Sequence, residues 1–137
     1  MSRQLLDEDV PVPVYHFLRQ RVSPLVQVGD GWGQRGWADA RLLQELHEAR
    51  ATFHTLDSDY FMPHLGYPHT DLRHPGYCLV FYDLSPDDLV GFLPRFLRQA
   101  SFRTHAQRLG RVIKVTFSQI TAWPFHGDQP ETFAWQS

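Results

Sequence analysis

Residues 111–121, Arg-Val-Ile-Lys-Val-Thr-Phe-Ser-Gln-Ile-Thr, alternate apolar and polar side chains. Ile113, Val115 and Phe117 fall on one face, and Val112, Lys114, Thr116 and Ser118 on the other. A period of two belongs to a β-strand. Alternation with one polar face predicts a half-exposed strand, the usual state in an antiparallel sheet. This reading decides the fold class expected for the chain.

Working towards the N-terminus, Ser85-Pro86-Asp87-Asp88 is a helix start: Ser at the N-cap, Pro at the first helical position, acids in the first turn. Leu89, Phe92, Leu93, Phe96 and Leu97 supply its apolar face, and Pro94 is expected to kink it. Residues 77–84 are apolar on both faces, which predicts a central buried strand. A second unit of the same kind precedes it. Leu25–Val28 reads as a strand, and residues 29–36 as a turn with four glycines. A helix then runs from Ala38 to about Ala51 on Leu42, Leu43, Leu46 and Ala49. Residues 53–57 read as a short strand. Val10–Val14 reads as an extended lead-in because of Pro11 and Pro13, with a short helix through Phe17 and Leu18 that Ser23-Pro24 ends.

Two strand–helix–strand units predict an α+β fold: a ferredoxin-like two-layer sandwich with an N-terminal helix and a long central loop. A small three-layer α/β fold is the alternative. The 137 residues read as a single domain, 1–137. At 42% hydrophobic and 20% charged, the chain is globular in composition. The N-terminal MSRQLLDEDVPVPV has no apolar core of a secretory signal, no apolar run approaches about 20 residues, and Cys78 is the only cysteine. These features lead us to expect a cytoplasmic protein that does not enter a membrane.

Four of the eight histidines, His54, His64, His69 and His74, fall between residues 54 and 74, among Asp57, Asp59 and Asp71. Residues 58–76 carry three prolines and two glycines and read as a long loop, a length that is often functional. Imidazole and carboxylate are the natural ligands of divalent transition metals, so His64, His69, Asp71 and His74 are the metal-ligand candidates. His69-Thr70-Asp71 with His126 resembles the two-histidine, one-carboxylate triad of iron- and 2-oxoglutarate-dependent oxygenases. No Lys or Arg follows His126, where those enzymes need one.

Gly31, Gly33 and Gly36 match G-x-G-x-x-G, with Asp57 about 20 residues further on; this resembles the dinucleotide-binding fingerprint. Gly29, Gly31 and Gly33 also resemble the glycine motif of S-adenosylmethionine-dependent methyltransferases. A glycine hairpin turned at Asp30-Gly31 accounts for the same residues. Asp57-Ser58-Asp59 places two carboxylates where they can hold a divalent cation, and resembles the first acidic motif of small nucleases.

Charge is segregated. Thirteen of the fifteen acids lie in residues 1–88, whereas residues 89–127 carry no acid and the cations Arg95, Arg98, Arg103, Arg108, Arg111 and Lys114. The five arginines are the partner-binding candidates, with a protein partner expected first and nucleic acid second. The leading expectation is a small binding or regulatory protein, inhibitor-like or immunity-like. The alternatives are a metal-dependent enzyme using the His/Asp-rich loop, with Asp57 or Asp59 as general base, and a nucleotide- or nucleic-acid-binding module.

Overall fold

The computed structural model describes residues 3–59, 76–124 and 129–136. The chain begins with β1 (Gln4–Leu6), α1 (Val12–Leu18), β2 (Leu25–Val28), β3 (Gly31–Trp32), α2 (Asp39–Ala49) and β4 (Thr52–Thr55). It continues with β5 (Cys78–Tyr82), α3 (Pro86–Leu97), α4 (His105–Arg108), β6 (Arg111–Val115), β7 (Gln119–Pro124) and β8 (Glu131–Ala134). The strands form one mixed sheet in the order β3-β2-β1-β4-β5-β6-β7-β8. All neighbours from β3 to β6 pair in parallel; β6–β7 and β7–β8 are antiparallel.

The mixed α/β character agrees with the sequence. The ferredoxin-like two-layer sandwich does not: the sheet has eight strands, and apolar side chains cover both faces. Successive strand residues divide between the faces by the pleat. Leu6, Cys78, Val80, Tyr82, Ile113 and Val115 join Tyr15 and Leu18 of α1 and Leu89, Leu93 and Phe96 of α3 in one buried cluster. Leu5, Phe53, Leu79, Phe81 and Val112 join Leu42 and Leu46 of α2 in another. Helices therefore lie on both sides of the sheet, the arrangement of the three-layer alternative.

Two local differences explain the change. β6 ends at Val115, so Thr116–Ser118 form the turn into β7, and Phe117 is 60% exposed instead of pointing inward. Val112, read as outward, is buried against the second cluster. The other difference is β1. Its three residues are all buried, and it lies between β2 and β4 with Leu5 opposite Val26 and Phe53. Three residues are too few to display a period.

Several elements form as the sequence dictates. The Ser85 side chain accepts the Asp88 N–H at 3.2 Å, capping α3. α3 continues through Pro94, with Pro94 itself buried. α1 begins at Val12, inside the stretch read as extended, with Pro at its first turn, where a missing N–H costs nothing. α2 ends at Arg50 in the left-handed conformation, φ 52°.

Candidate functional site

In this sheet the chain reverses its direction of travel between β1 and β4. From β1 it moves outward to β2 and β3; after α2 it returns to the other side of β1 and proceeds through β4, β5 and β6. In open parallel sheets, ligands bind beyond the carboxyl ends of the strands at such a switch point. Here that place is acidic. Asp7 directly follows β1, Asp57 lies two residues beyond β4, Asp30 two residues beyond β2, and Asp83 directly follows β5. Each of the four parallel strands from β2 to β5 across the switch point thus runs into an aspartate.

Asp7 is the centre of the group. It is 1% exposed. Its Oδ2 accepts the Thr55 hydroxyl at 2.7 Å, and Thr55 Oγ1 accepts the Asp57 N–H at 2.9 Å. Asp57 Oδ1 in turn accepts the Asp59 N–H at 2.8 Å. The Asp7 main chain is pinned as well: its N–H donates to His54 O at 2.9 Å, and Gln27 Nε2 donates to the carbonyls of Asp7 and Val10 at 3.0 and 2.8 Å. Burial pushes the Asp7 carboxyl up to about 6; the nearby charges of Asp9 and Asp57 add to the rise, while the Thr55 and Asp9 hydrogen bonds oppose it.

The remaining acids at this end are partly engaged. Glu8 accepts the Gly36 N–H through both carboxylate oxygens, at 3.3 and 3.2 Å. Burial and, after it, the nearby Asp30 raise the pKa of the Tyr15 phenol. Asp83 is 4.0 Å from Lys114 Nζ. Among the described residues, no cation forms an ion pair with Asp7, Asp9, Asp57 or Asp59.

Sequence reasoning had singled out Asp57 and Asp59 but missed Asp7, because β1 was unrecognised. A signal was present: the strands ending at Val28, Thr55 and Tyr82 are each followed within two residues by Asp.

The metal-ligand candidates His64, His69, Asp71 and His74 lie outside the described residues, as does His126 of the oxygenase-like triad. His54 is described and is a core residue. Its Nε2 lies 2.7 Å from Gln4 Oε1 and its Nδ1 2.7 Å from the Tyr82 hydroxyl. The Gln4 oxygen can only accept, so Nε2 carries the proton and Nδ1 accepts from Tyr82. Burial, with a contribution from Arg108, holds the ring neutral by lowering its pKa to about 3. Cys78 is buried and its thiol is pushed up to about 12 by desolvation, the condition of an inert packing residue.

The glycine turn is partly filled by the chain's own side chains, at Gly29, Gly31 and Gly33. A Cβ on Gly29 would sit 2.5 Å from Arg35 Cγ, and one on Gly33 would sit 3.0 Å from the Trp37 ring. Trp37 packs edge-on against Trp32 and lies beneath Arg41. Of the three fingerprint glycines, Gly33 thus faces Trp37 and Gly31 faces Val26, whereas nothing lies within 4 Å of a Cβ on Gly36. The expected hairpin turned at Asp30-Gly31 is not formed: the turn falls at Gly29, Gly31 already belongs to β3, and β2 and β3 pair in parallel.

Of the five arginine candidates, Arg95, Arg98 and Arg103 line one pocket with Gln99 and Gln136. Arg108 is 3% exposed, and its guanidinium is committed to Thr52 Oγ1 and the carbonyls of Phe102 and Arg103. Arg111 starts β6, half-buried, away from that pocket's lining. The basic segment is thus divided between a surface pocket and a buried structural tie.

Among the described residues, no group of three His, Cys, Asp or Glu side chains is placed to hold a metal ion, and no helix is long and apolar enough to cross a membrane. No family model, curated protein or solved structure matches this chain.

Proposed function

We propose that the chain is a divalent-cation-dependent enzyme acting on phosphate esters, with Asp7 and Asp57 holding the cation at the β1/β4 switch point. The observation that supports this reading is the burial of Asp7, without a basic partner among the described residues, beside Asp9 and Asp57. A buried carboxylate among other carboxylates is costly unless it is protonated or neutralised by a cation. The donors at the switch point are carboxylate oxygens, which suit hard cations such as magnesium or manganese. Magnesium keeps several waters and commonly takes only one or two carboxylates, completing its shell with substrate phosphate. A pair of carboxylates is therefore a sufficient protein contribution.

When bound, the cation would polarise a phosphoryl oxygen and acidify a water. The chain's own residues supply the rest. Thr55 links the Asp7 carboxylate to the Asp57 main-chain N–H through two short hydrogen bonds. Gln27 clamps the backbone that carries Asp7. Asp59, exposed and with its N–H donated to Asp57 Oδ1, is the base we assign to take the proton of an attacking water. The test is hydrolysis of bis(p-nitrophenyl) phosphate by the full chain with magnesium or manganese. Turnover that chelator abolishes, and that Asp7→Asn and Asp57→Asn each remove, supports the reading. Turnover in both variants equal to that of the wild type contradicts it.

A second reading keeps the chain as a binding protein for a macromolecular partner. Phe117 and Phe17 are 60% and 40% exposed, and Arg21 covers the Phe17 ring at 3.6 Å. Exposed aromatics and arginines are the usual anchors of interfaces. Capture of one partner from the native host, lost with Phe17→Ala or Phe117→Ala, would favour it.

A further inference from the structure

The acidic residues at the switch point do not line the pocket at the end of α3. From the geometry there we propose a second site, which binds a phosphate group. It does not rest on the metal-dependent reading. The pocket lies at the β8 edge of the sheet; β5, β6 and β7 separate β8 from β4, roughly 19 Å at the ordinary strand spacing.

The pocket has a volume of about 580 Å³ and is lined by Arg95, Arg98, Gln99, Arg103 and Gln136. That volume falls within the range of small-molecule sites. Three guanidinium groups and the Gln136 carboxamide supply N–H donors, and among the described lining residues there is no carboxylate. The only ion pairs among the described residues, Arg41–Glu45 and Lys114–Asp83, lie elsewhere. Arginine's planar fork matches the oxygens of phosphate.

The walls are built, not incidental. Gln99 is buried at 6% exposure, and the Gln136 N–H donates to its Oε1 at 2.9 Å. Gln99 Nε2 donates to the carbonyls of Arg95 and Gln136, at 3.1 and 3.4 Å, and the Ala100 N–H donates to Gln136 Oε1 at 3.4 Å. These bonds fasten the segment after β8 to the end of α3. Arg95 lies over the Trp135 ring at 4.6 Å, and Trp135 Nε1 donates to Thr116 O at 3.0 Å. Arg95 is thereby held in place before any ligand arrives, which lowers the entropic cost of binding. The end of α3 contributes about half a negative charge, which explains one cation there but not three.

The shared chemistry is a phosphate dianion, free or carried on a small organic molecule. A neighbouring pocket of about 290 Å³ also has Gln99 and Gln136 in its lining, along with Phe102, Ile120 and Phe133. Phe102 and Ile120 are fully buried there, so half-buried Phe133 and exposed Ala134 supply the apolar surface for the body of an organic phosphate, beside Ser101 and Thr132.

The experiment is calorimetric titration of the full chain, in chelator, with inorganic phosphate, phenyl phosphate and polyglutamate, repeated with Arg98→Gln/Arg103→Gln. Both arginines are exposed, so the double variant should keep its circular dichroism and melting temperature. Phosphate should bind the wild type, and the double variant should lose at least about tenfold in affinity. Tighter binding of phenyl phosphate would identify an organic phosphate as the ligand, and tighter binding of inorganic phosphate would identify the free anion. Absence of phosphate binding at millimolar concentration, unchanged affinity in the double variant, or preference for polyglutamate would each overturn the proposal.

Discussion

The Thr55 hydroxyl at the end of β4 donates to Asp7 Oδ2, 2.7 Å away, just beyond the end of β1. The same oxygen of Thr55 accepts the N–H of Asp57. One hydroxyl therefore ties the Asp7 carboxylate to the main chain of Asp57, across strands that are neighbours in the sheet; Asp7 and Thr55 are 48 residues apart in the chain. The cost of holding Asp7 buried beside other acids leads to the first prediction.

Asp7→Asn should stabilise the metal-free protein at pH 8. The folded carboxyl has a pKa of about 6, above the ordinary value of 3.8. A raised acid contributes stability that is fully present below the unfolded pKa and is lost as pH rises through 6. Asparagine removes the charge and can still accept from Thr55. The gain at pH 8 should reach at most roughly 3 kcal/mol and vanish near pH 4. Urea unfolding in chelator at the two pH values measures it. A variant less stable than the wild type at pH 8 would show that the carboxylate is not strained by its surroundings.

His54 should act in the opposite sense. Its folded pKa of about 3 lies below the ordinary 6.5, so its contribution is complete above 6.5 and is lost as pH falls towards 3. In an Asp7→Asn background, where the opposing titration is gone, stability should fall below pH 6.5 by up to about 1.4 kcal/mol per pH unit. Adding His54→Gln should flatten that slope. An unchanged slope would place the acid sensitivity in another group.

Leu5→Ala and Leu6→Ala should each cost about 2–5 kcal/mol, because both side chains are fully buried and lie on opposite faces of the sheet. Phe117→Ala, exposed and touching Phe92 edge-on, should cost no more than about 1.5 kcal/mol. Chemical denaturation distinguishes them. Comparable small losses at all three positions would mean that β1 is not a central strand.

These residues also show what the sequence made legible. β2, α2, β5 and α3 were readable because each has four or more residues of clear pattern, or a cap such as Ser85. Gln4–Leu6 carries no period, and its place between β2 and β4 comes from pairing with residues 21 and 48 positions away. Without β1 the two strand–helix–strand units could not be joined into a three-layer sheet, and Asp7 had no structural address. The alternation of residues 111–121 misled for a related reason. It runs on through a turn, so Phe117 kept the period while leaving the strand. At the candidate site, Asp57 and Asp59 were visible as neighbours in sequence. Asp7 becomes their neighbour only when β1 lies beside β4.

The most direct measurement is titration of manganese into the full chain by calorimetry, beside Asp7→Asn and Asp57→Asn, at pH 7.5 where Asp7, with a pKa of about 6, is ionised. Saturable binding of manganese to the wild type, weakened at least about tenfold in each variant, is the result predicted. Absence of binding at millimolar manganese, or equal binding in all three proteins, would contradict a cation held by Asp7 and Asp57.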